Sequence, residues 1–348
     1  MKVQMLHAGI SHPSPYFYNL CNALKEINSE INIFINPDIP SYAPKEPSIL
    51  HFHRLKRYYN SNDQTSAEEF IQTVEKAKIA GWKIAWTIHN FLPIDRNLSS
   101  TDLWAAQQFS TLGDIIFTHT ESMKTNAEKL FSKKVINSSY GINKLDGIFD
   151  KSKISVPAED YDAVFTFGGN ITEYKCLPES ITAFKKLKEE SKDKRFKLIL
   201  AGPPSQSVDV RRHIKGDSDI LFYNSFIGES SWDALRKITD VFLLPYDLSL
   251  PAFKYGIFPS SVPQILSYKK PMIVPDCPEI KEFIPKEDMA IFYDYKNKNG
   301  LFESMQKGAD PIKRGLIIGN LEKITYNPSW KNVAKVTIEG YKTILKDN

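Results

Sequence analysis

Short apolar runs alternate with longer stretches of helical period along this chain. Residues 3–6, 31–35, 49–52, 83–88, 114–118 and 135–136 read as strands, with helices predicted over 15–24 and 66–80. Gly81 is placed to end the second helix as a C-cap glycine. The same alternation restarts after a polar, proline-containing stretch. Strands are predicted over 163–167, 196–200, 220–223, 241–244 and 272–274, and a helix over 178–190. Strands alternating with helices imply a parallel α/β sheet. The expected organisation is two doubly wound, Rossmann-like domains: residues 1–151 with a closing helix at 329–348, a linker at 152–161, and a second domain at 162–328. Ligands on such sheets bind outside the carboxyl ends of the strands, and in two facing sheets those ends would meet across one cleft.

The stretch from Phe253 to Asp276 concentrates the chemistry. Gly256-Ile257-Phe258-Pro259 is a loop. Ser260-Ser261 opens a short helix through Val262, Ile265 and Leu266, Lys269-Lys270-Pro271 ends it, and a buried strand follows. A loop feeding a helix with two hydroxyls in its first turn can hold an anion. A plain N-cap serine is the other reading.

Composition narrows the classes. The chain has 348 residues and a formal net charge of +4, which does not indicate a nucleic-acid binder. No apolar run approaches the ~18 residues of a membrane span. MKVQMLHAGISHPSP lacks the apolar core and cleavage site of a secretion signal. Cys21, Cys176 and Cys277 are far apart and odd in number, so reduced thiols and a cytoplasmic location are expected.

Several strand-end residues are candidates for chemistry. Lys175 follows a glycine-rich strand end and could neutralise a leaving diphosphate; a solvated lysine is the alternative. Gly169 and Gly202 allow close approach of a ligand to the backbone, or mark ordinary turns. Phe226-Ile227 could wall a nucleobase, or be core. His89 and Asn90 close a buried strand, and Asp95 lies just beyond, as a base or a helix cap. His12 sits on the first strand-end loop with Gly9. His119 and Tyr140 are lesser candidates of the same kind. Asp160/Asp162 and Asp217/Asp219 have the spacing of a metal-bound diphosphate site, but they precede strands, so no metal is assigned there. Arg54-Leu55-Lys56-Arg57-Tyr58-Tyr59 could touch a membrane surface or an acceptor diphosphate, with a solvated loop as the equal alternative.

These residues, in this order, resemble the nucleotide-sugar glycosyltransferases of the GT-B fold, most of all family 4 and its relatives in bacterial polysaccharide assembly. Tyr16 stands at the tyrosine of an asparagine-proline-tyrosine helix entry. Thr87-Ile88-His89-Asn90-Phe91-Leu92-Pro93 is similar to a "T-x-H-N-x-x-P" segment, and Phe167-Gly168-Gly169-Asn170 with Tyr174-Lys175 to a "G-x-I-x-x-Y-K-G" donor-domain opening. Leu200-Ala201-Gly202, followed by Pro203, and Asp240 to Tyr246 resemble the "A-G" and "A-D-V-x-x-L-P-Y" segments. Residues 253–276 resemble the diphosphate loop, and Tyr140-Gly141 a histidine-glycine step with tyrosine substituted. Trp330 would begin the closing helix. There are departures: the usual pair of glutamates around the loop is Gly256 and Gln264, the glycine after the lysine is Cys176, and the usual arginine is Asn170.

The resemblance implies sugar transfer from a nucleoside diphosphate sugar, a UDP-sugar ahead of a GDP-sugar, to a saccharide or lipid-linked acceptor, with no other cofactor and no metal. The donor side would be Gly169, Asn170, Tyr174, Lys175, Gly202, Pro203, Phe226, Ile227, Tyr246, Ser260, Ser261 and Gln264. The acceptor side would be Gly9, Tyr16, Asn90, His119 and Tyr140. With the glutamate pair missing, inversion is expected, with Asp95 as first choice of base, His12 as second, and His89 positioning the substrate. The protein is expected in the cytoplasm, with peripheral contact at the inner face of the membrane as an option. An epimerase of the same fold, or a non-catalytic sugar-nucleotide binder partnering an active transferase, are the other readings.

Overall fold

Parallel strands covered on both faces need nearly continuous apolar sequence, and this chain supplies two sets of them. The computed structural model describes residues 1–6, 15–94, 99–142, 161–284, 286–324 and 329–346; the expected linker at 152–161 lies outside the described residues except for Tyr161. The chain forms two compact units, Met1–Ile142 with Pro251–Phe258 and Asn327–Asn348, and Asn143–Leu250 with Pro259–Tyr326.

The first unit holds β1 (Lys2–Leu6), α1 (Pro15–Ile27), β2 (Asn32–Ile35), β3 (Ser48–Phe52), α2 (Gln64–Ile79), β4 (Lys83–Thr87), α3 (Ser100–Leu112), β5 (Ile115–Thr118), α4 (Glu121–Phe131) and β6 (Val135–Asn137). Its strands form one parallel sheet in the order β2-β1-β3-β4-β5-β6. Successive side chains go to opposite faces. Leu50, Phe52, Ile84 and Trp86 therefore pack with Phe70, Val74 and Phe109 of α2 and α3, while Val3, Met5, Ile49 and Phe117 pack on the other face with Phe17, Leu20 and Leu24 of α1.

The second unit holds β7 (Ala163–Gly168), α5 (Leu177–Glu190), β8 (Phe196–Ala201), α6 (Val210–Ile214), β9 (Ile220–Tyr223), α7 (Glu229–Ile238), β10 (Val241–Leu243), α8 (Ser261–Ser267), β11 (Met272–Pro275), α9 (Pro278–Lys281), β12 (Ile291–Tyr293), α10 (Gly300–Ala309) and α11 (Pro311–Glu322). Its sheet is also parallel, ordered β12-β11-β10-β7-β8-β9. The strand order reverses between β7 and β10, and the crevice at such a reversal is where doubly wound sheets bind ligands.

The last helix, α12 (Trp330–Lys346), belongs to the first unit. It buries Val333, Ala334, Thr337, Ile338, Tyr341 and Ile344 on one stripe, against α1 and the sheet. Gly340 lets it approach: a Cβ there would lie 2.6 Å from Ile115 and 2.7 Å from Phe117.

Most boundaries lie within a few residues of expectation. Helix α2 starts earlier, at Gln64, because the Asp63 carboxylate accepts from the Thr65 and Ser66 amides. Gly81 closes it at φ +105°. Strand β12 was not expected, since an apolar triplet carries no period of its own. The Phe253–Asp276 stretch divides: Phe253–Phe258 belongs to the first unit and Pro259 onward to the second.

Candidate functional site

In the second unit, the ends of β7 and β8 touch through backbone alone. Gly202 sits at φ +146°, and a Cβ there would fall 2.1 Å from the Gly169 carbonyl oxygen, so only glycine fits. Gly169, at φ +87°, donates its amide to the Ala201 carbonyl at 2.9 Å. The Pro203 carbonyl accepts from the Ile171 amide at 2.9 Å.

Lys175 lies inside this arrangement. Its side chain is 8% exposed. Its Nζ sits 3.5 Å from the Gly168 carbonyl oxygen, 6.0 Å from the Phe167 ring, and 3.3 Å from where a Cβ on Gly169 would be. Among the described residues no carboxylate pairs with it. Burial pulls its pKa down to about 8. Holding the ammonium charged there costs on the order of 3 kcal/mol, which an anionic ligand would offset. The Thr172 hydroxyl, three residues earlier, is buried and has no hydrogen-bond partner among the described residues. Sequence reading did not single it out, because a threonine in a loop carries no signal of its burial.

Tyr174 and Tyr246 stack at 6.0 Å, and the Asp247 amide donates to the Tyr174 carbonyl at 2.8 Å. The Tyr246 hydroxyl is buried and hydrogen-bonds Ser261, and burial raises its pKa. The Tyr293 hydroxyl accepts from the Tyr246 amide at 3.1 Å and donates to its carbonyl at 3.4 Å. Tyr293 is on the unexpected strand β12, so its role here could not be read beforehand. Lys175, Gly169, Gly202, Pro203, Tyr174, Tyr246 and Ser261 thus lie on linked strand-end loops.

The remaining donor-side candidates differ. Ser260 is exposed and its side chain makes no cap hydrogen bond. Gln264 donates to the Tyr268 hydroxyl at 3.1 Å. Asn170 is exposed. Phe226 and Ile227 part company: Phe226 is 74% exposed, whereas Ile227 is core, packed with Val164, Ile199 and Leu235. Cys176 sits at φ +46°, a left-handed position that suits glycine. Gly256 is at φ +108°, so a glutamate there would be strained. Asp217 and Asp219 both pair with Lys188, which gives them a structural role.

In the first unit, four histidines converge at the strand ends. His119 Nδ1 lies 2.9 Å from the Ser139 carbonyl oxygen, His119 Nε2 lies 2.9 Å from His89 Nδ1, and His89 Nε2 lies 3.2 Å from His53 Nδ1. A carbonyl only accepts, so His119 carries its proton on Nδ1. In the neutral array each next ring must then donate: His89 from Nδ1 and His53 from Nδ1. Both nitrogens of His89 are engaged, so it meets a substrate only by releasing one of them. His51 lies deeper, with Nδ1 2.5 Å from the Tyr341 hydroxyl and Nε2 2.7 Å from Thr87 Oγ1. Burial pulls His51 down to about 3 and His119 to about 4. His89 is also driven well down, first by burial and then by the neighbouring His119.

Tyr16 is the hub of this cluster. Its ring lies 4.6 Å from His89, 5.5 Å from His119, 5.6 Å from Tyr140 and 5.3 Å from Trp330. Gly141 makes room for Trp330, since a Cβ there would be 2.4 Å from the indole. Phe258 covers His119 at 4.4 Å and Tyr140 at 4.7 Å. The structure thus brings Tyr16, His89, His119 and Tyr140 together and adds His51 and His53, which an isolated His-x-His in a strand did not announce. Asn90 is half-buried at the end of β4. Gly9, His12 and Asp95 lie outside the described residues.

No family model matches this sequence, and no curated protein sequence matches it. Solved structures do match over the whole chain. Sucrose-phosphate synthase from Thermosynechococcus elongatus is 12% identical with a TM-score of 0.71, covering 100% of both chains. HepE from Anabaena, in complex with UDP and glucose, is 12% identical at 0.62, covering 100% of this chain and 98% of its own. A putative UDP-N-acetylglucosamine 2-epimerase from Listeria monocytogenes is 12% identical at 0.61, covering 100% and 97%. The fold is GT-B. Among the described residues no helix is long and apolar enough to cross a membrane.

Proposed function

We propose that this protein is a glycosyltransferase that moves a hexosyl group from a nucleoside diphosphate sugar to a saccharide or lipid-linked saccharide acceptor. The observation that carries the reading is Lys175: an ammonium buried at the strand-order reversal of the second sheet, with no carboxylate partner among the described residues. Glycosyl transfer releases a diphosphate, and a fixed cation placed where that charge develops stabilises the transition state. The Lys175 ammonium and the Ser261 hydroxyl supply that stabilisation without a metal. A UDP-sugar is the first donor to try, since HepE is seen with UDP and glucose. The first unit takes the acceptor, with Asp95 as base, His12 as its substitute, and the histidine array holding the substrate in register. Peripheral membrane contact through the Arg54–Tyr59 segment belongs to the lipid-linked version of this reading.

Labelled UDP-glucose tests it. Incorporation into an added saccharide, retained in the presence of a chelator, is expected. Conversion of the donor sugar with no acceptor present would establish the epimerase reading instead. Donor binding with no turnover would leave a sugar-nucleotide binder.

A further inference from the structure

Helix α11 of the second unit buries Ile317 and Leu321. At 3.6 residues per turn, its opposite side carries Ile312, Gly315, Leu316 and Gly319. Ile312 is 74% exposed and Leu316 61%. This outward stripe has no polar side chain over two turns, where a surface helix normally places its polar residues.

The two glycines have no reason within the chain. At Gly300, Gly308 and Gly340, the other helix glycines among the described residues, an added Cβ would lie 2.7, 3.2 and 2.6 Å from its nearest neighbour. At Gly315 and Gly319 nothing lies within 4 Å, and neither has the positive φ that calls for glycine. Each costs the helix stability relative to alanine. Glycines one turn apart let a second helix approach closely, and the exposed Ile312 and Leu316 supply the apolar contact.

The stripe is its own complement. Two copies laid antiparallel about a two-fold axis between residues 315 and 316 set Ile312 of one against Gly319 of the other, and Leu316 against Gly315. Side chains of each copy fill the gaps of its partner. Charge fits the same arrangement. Lys313 and Asn320 are seven residues apart, so they share one flank of the stripe. Asn320 Nδ2 donates to the Asp288 carbonyl at 3.3 Å, which brings the exposed Glu287 and Asp288 to that flank at its carboxyl end. Lys313 stands at its amino end, and none of the three forms an ion pair among the described residues. The two-fold axis exchanges the ends and keeps the flank, so Lys313 of each copy meets the acidic pair of the other. We propose that α11 is a self-association surface through which two copies of this chain form an antiparallel dimer. A lipid surface is the poorer occupant: a membrane-surface helix borders its apolar face with basic residues, and this stripe is bordered by both signs. The inference is independent of the transferase reading.

Sedimentation velocity of the full chain over a concentration series tests it. The mass should rise from one chain to two with a dissociation constant on the order of 10–100 µM, as suits a patch below the standard interface size. Gly315→Leu with Gly319→Leu, and separately Lys313→Glu, should each weaken association by about tenfold or more. Adding Glu287→Lys and Asp288→Lys to Lys313→Glu should restore it. The glycine variant separates contact from folding. A Cβ there meets no atom of its own chain, and leucine is the better helix former, so the monomer should melt no lower than the parent while the dimer is lost. A chain that stays monomeric up to about 500 µM, several times that dissociation constant, would overturn the surface. So would a dimer indifferent to the glycine variant, or a charge reversal that restores nothing. Binding to vesicles of phosphatidylglycerol and phosphatidylcholine that Leu316→Lys abolishes, with no dimer in solution, would overturn it in favour of a membrane contact.

Discussion

Lys175 makes the donor side sensitive to alkaline pH. Its pKa is depressed to about 8 by burial, against about 10.5 for the unfolded chain. Below pH 8 it is charged in both states. Between 8 and 10.5 the folded protein sheds the proton first. A diphosphate that depends on this cation should therefore bind progressively less well as pH rises through about 8. Calorimetry with UDP at pH 7 and pH 9.5 should show that loss. Lys175→Met should abolish the pH dependence and weaken binding at pH 7 by roughly 1–3 kcal/mol. A steep pH dependence surviving in the variant would assign it elsewhere. On the acceptor side, Asp95→Asn should lower turnover by about 100-fold or more with UDP affinity kept, the range for a lost general base. Normal turnover would pass the role to His12. His89, held by two other histidines, suits orienting the substrate better than taking a proton from it.

Among the elements, α12 binds the end of the chain to the first sheet by close approach and by one polar link. Gly340 is at the closest point, against Ile115 and Phe117. Gly→Ala in a helix usually helps by propensity, by up to about 1 kcal/mol. Here the added methyl has no space. Gly340→Ala should therefore destabilise by roughly 1–3 kcal/mol, the cost of overpacking, as read by denaturant unfolding. The polar link runs from the Tyr341 hydroxyl through His51 to Thr87 and on to Tyr16, so α12, β3, β4 and α1 share one buried network. The second unit has a comparable clamp, where Tyr293 of β12 holds the Tyr246 backbone beneath the Tyr174–Tyr246 stack.

For the molecule as a whole, the buried histidines set the acid limit. His51, His89 and His119 are held below their ordinary value by burial. Above about pH 6.5 they are neutral in both folded and unfolded chains and contribute no pH dependence. Below it the unfolded chain binds protons that the folded one refuses, so stability falls as pH drops from about 6.5 towards 4 and 3. His119 alone accounts for on the order of 3 kcal/mol of that fall. Denaturation midpoints across pH 7 to 4 should show it. His119→Gln should flatten the slope even if it lowers the plateau, and an unchanged slope would mean that the array is solvated.

The alternation of apolar runs and helical segments was enough to specify two parallel α/β sheets, because strands covered on both faces must be apolar whatever their neighbours are. Gly81, Gly169 and Gly202 were legible for a related reason: a left-handed or crowded backbone position admits little else. The order of short motifs marked the strand ends where Lys175, Tyr246 and His89 lie. Other features depended on partners far away in sequence. Burial of the Lys175 ammonium and the Thr172 hydroxyl is a property of surrounding loops, not of the residues. The histidine array joins positions 53, 89, 119 and 139 through four strand ends, and no local period encodes such a junction. Phe226 and Ile227 look alike in sequence, yet one is exposed and the other is core, because Ile227 packs with Val164, Ile199 and Leu235 of distant elements. The division of the Phe253–Asp276 stretch between the units is likewise tertiary: Phe258 meets the His119 and Tyr140 rings, while Tyr268 meets Phe242 of the second sheet. Contacts at long sequence separation decide which of several locally acceptable roles a side chain takes, and they exist only once the chain has folded.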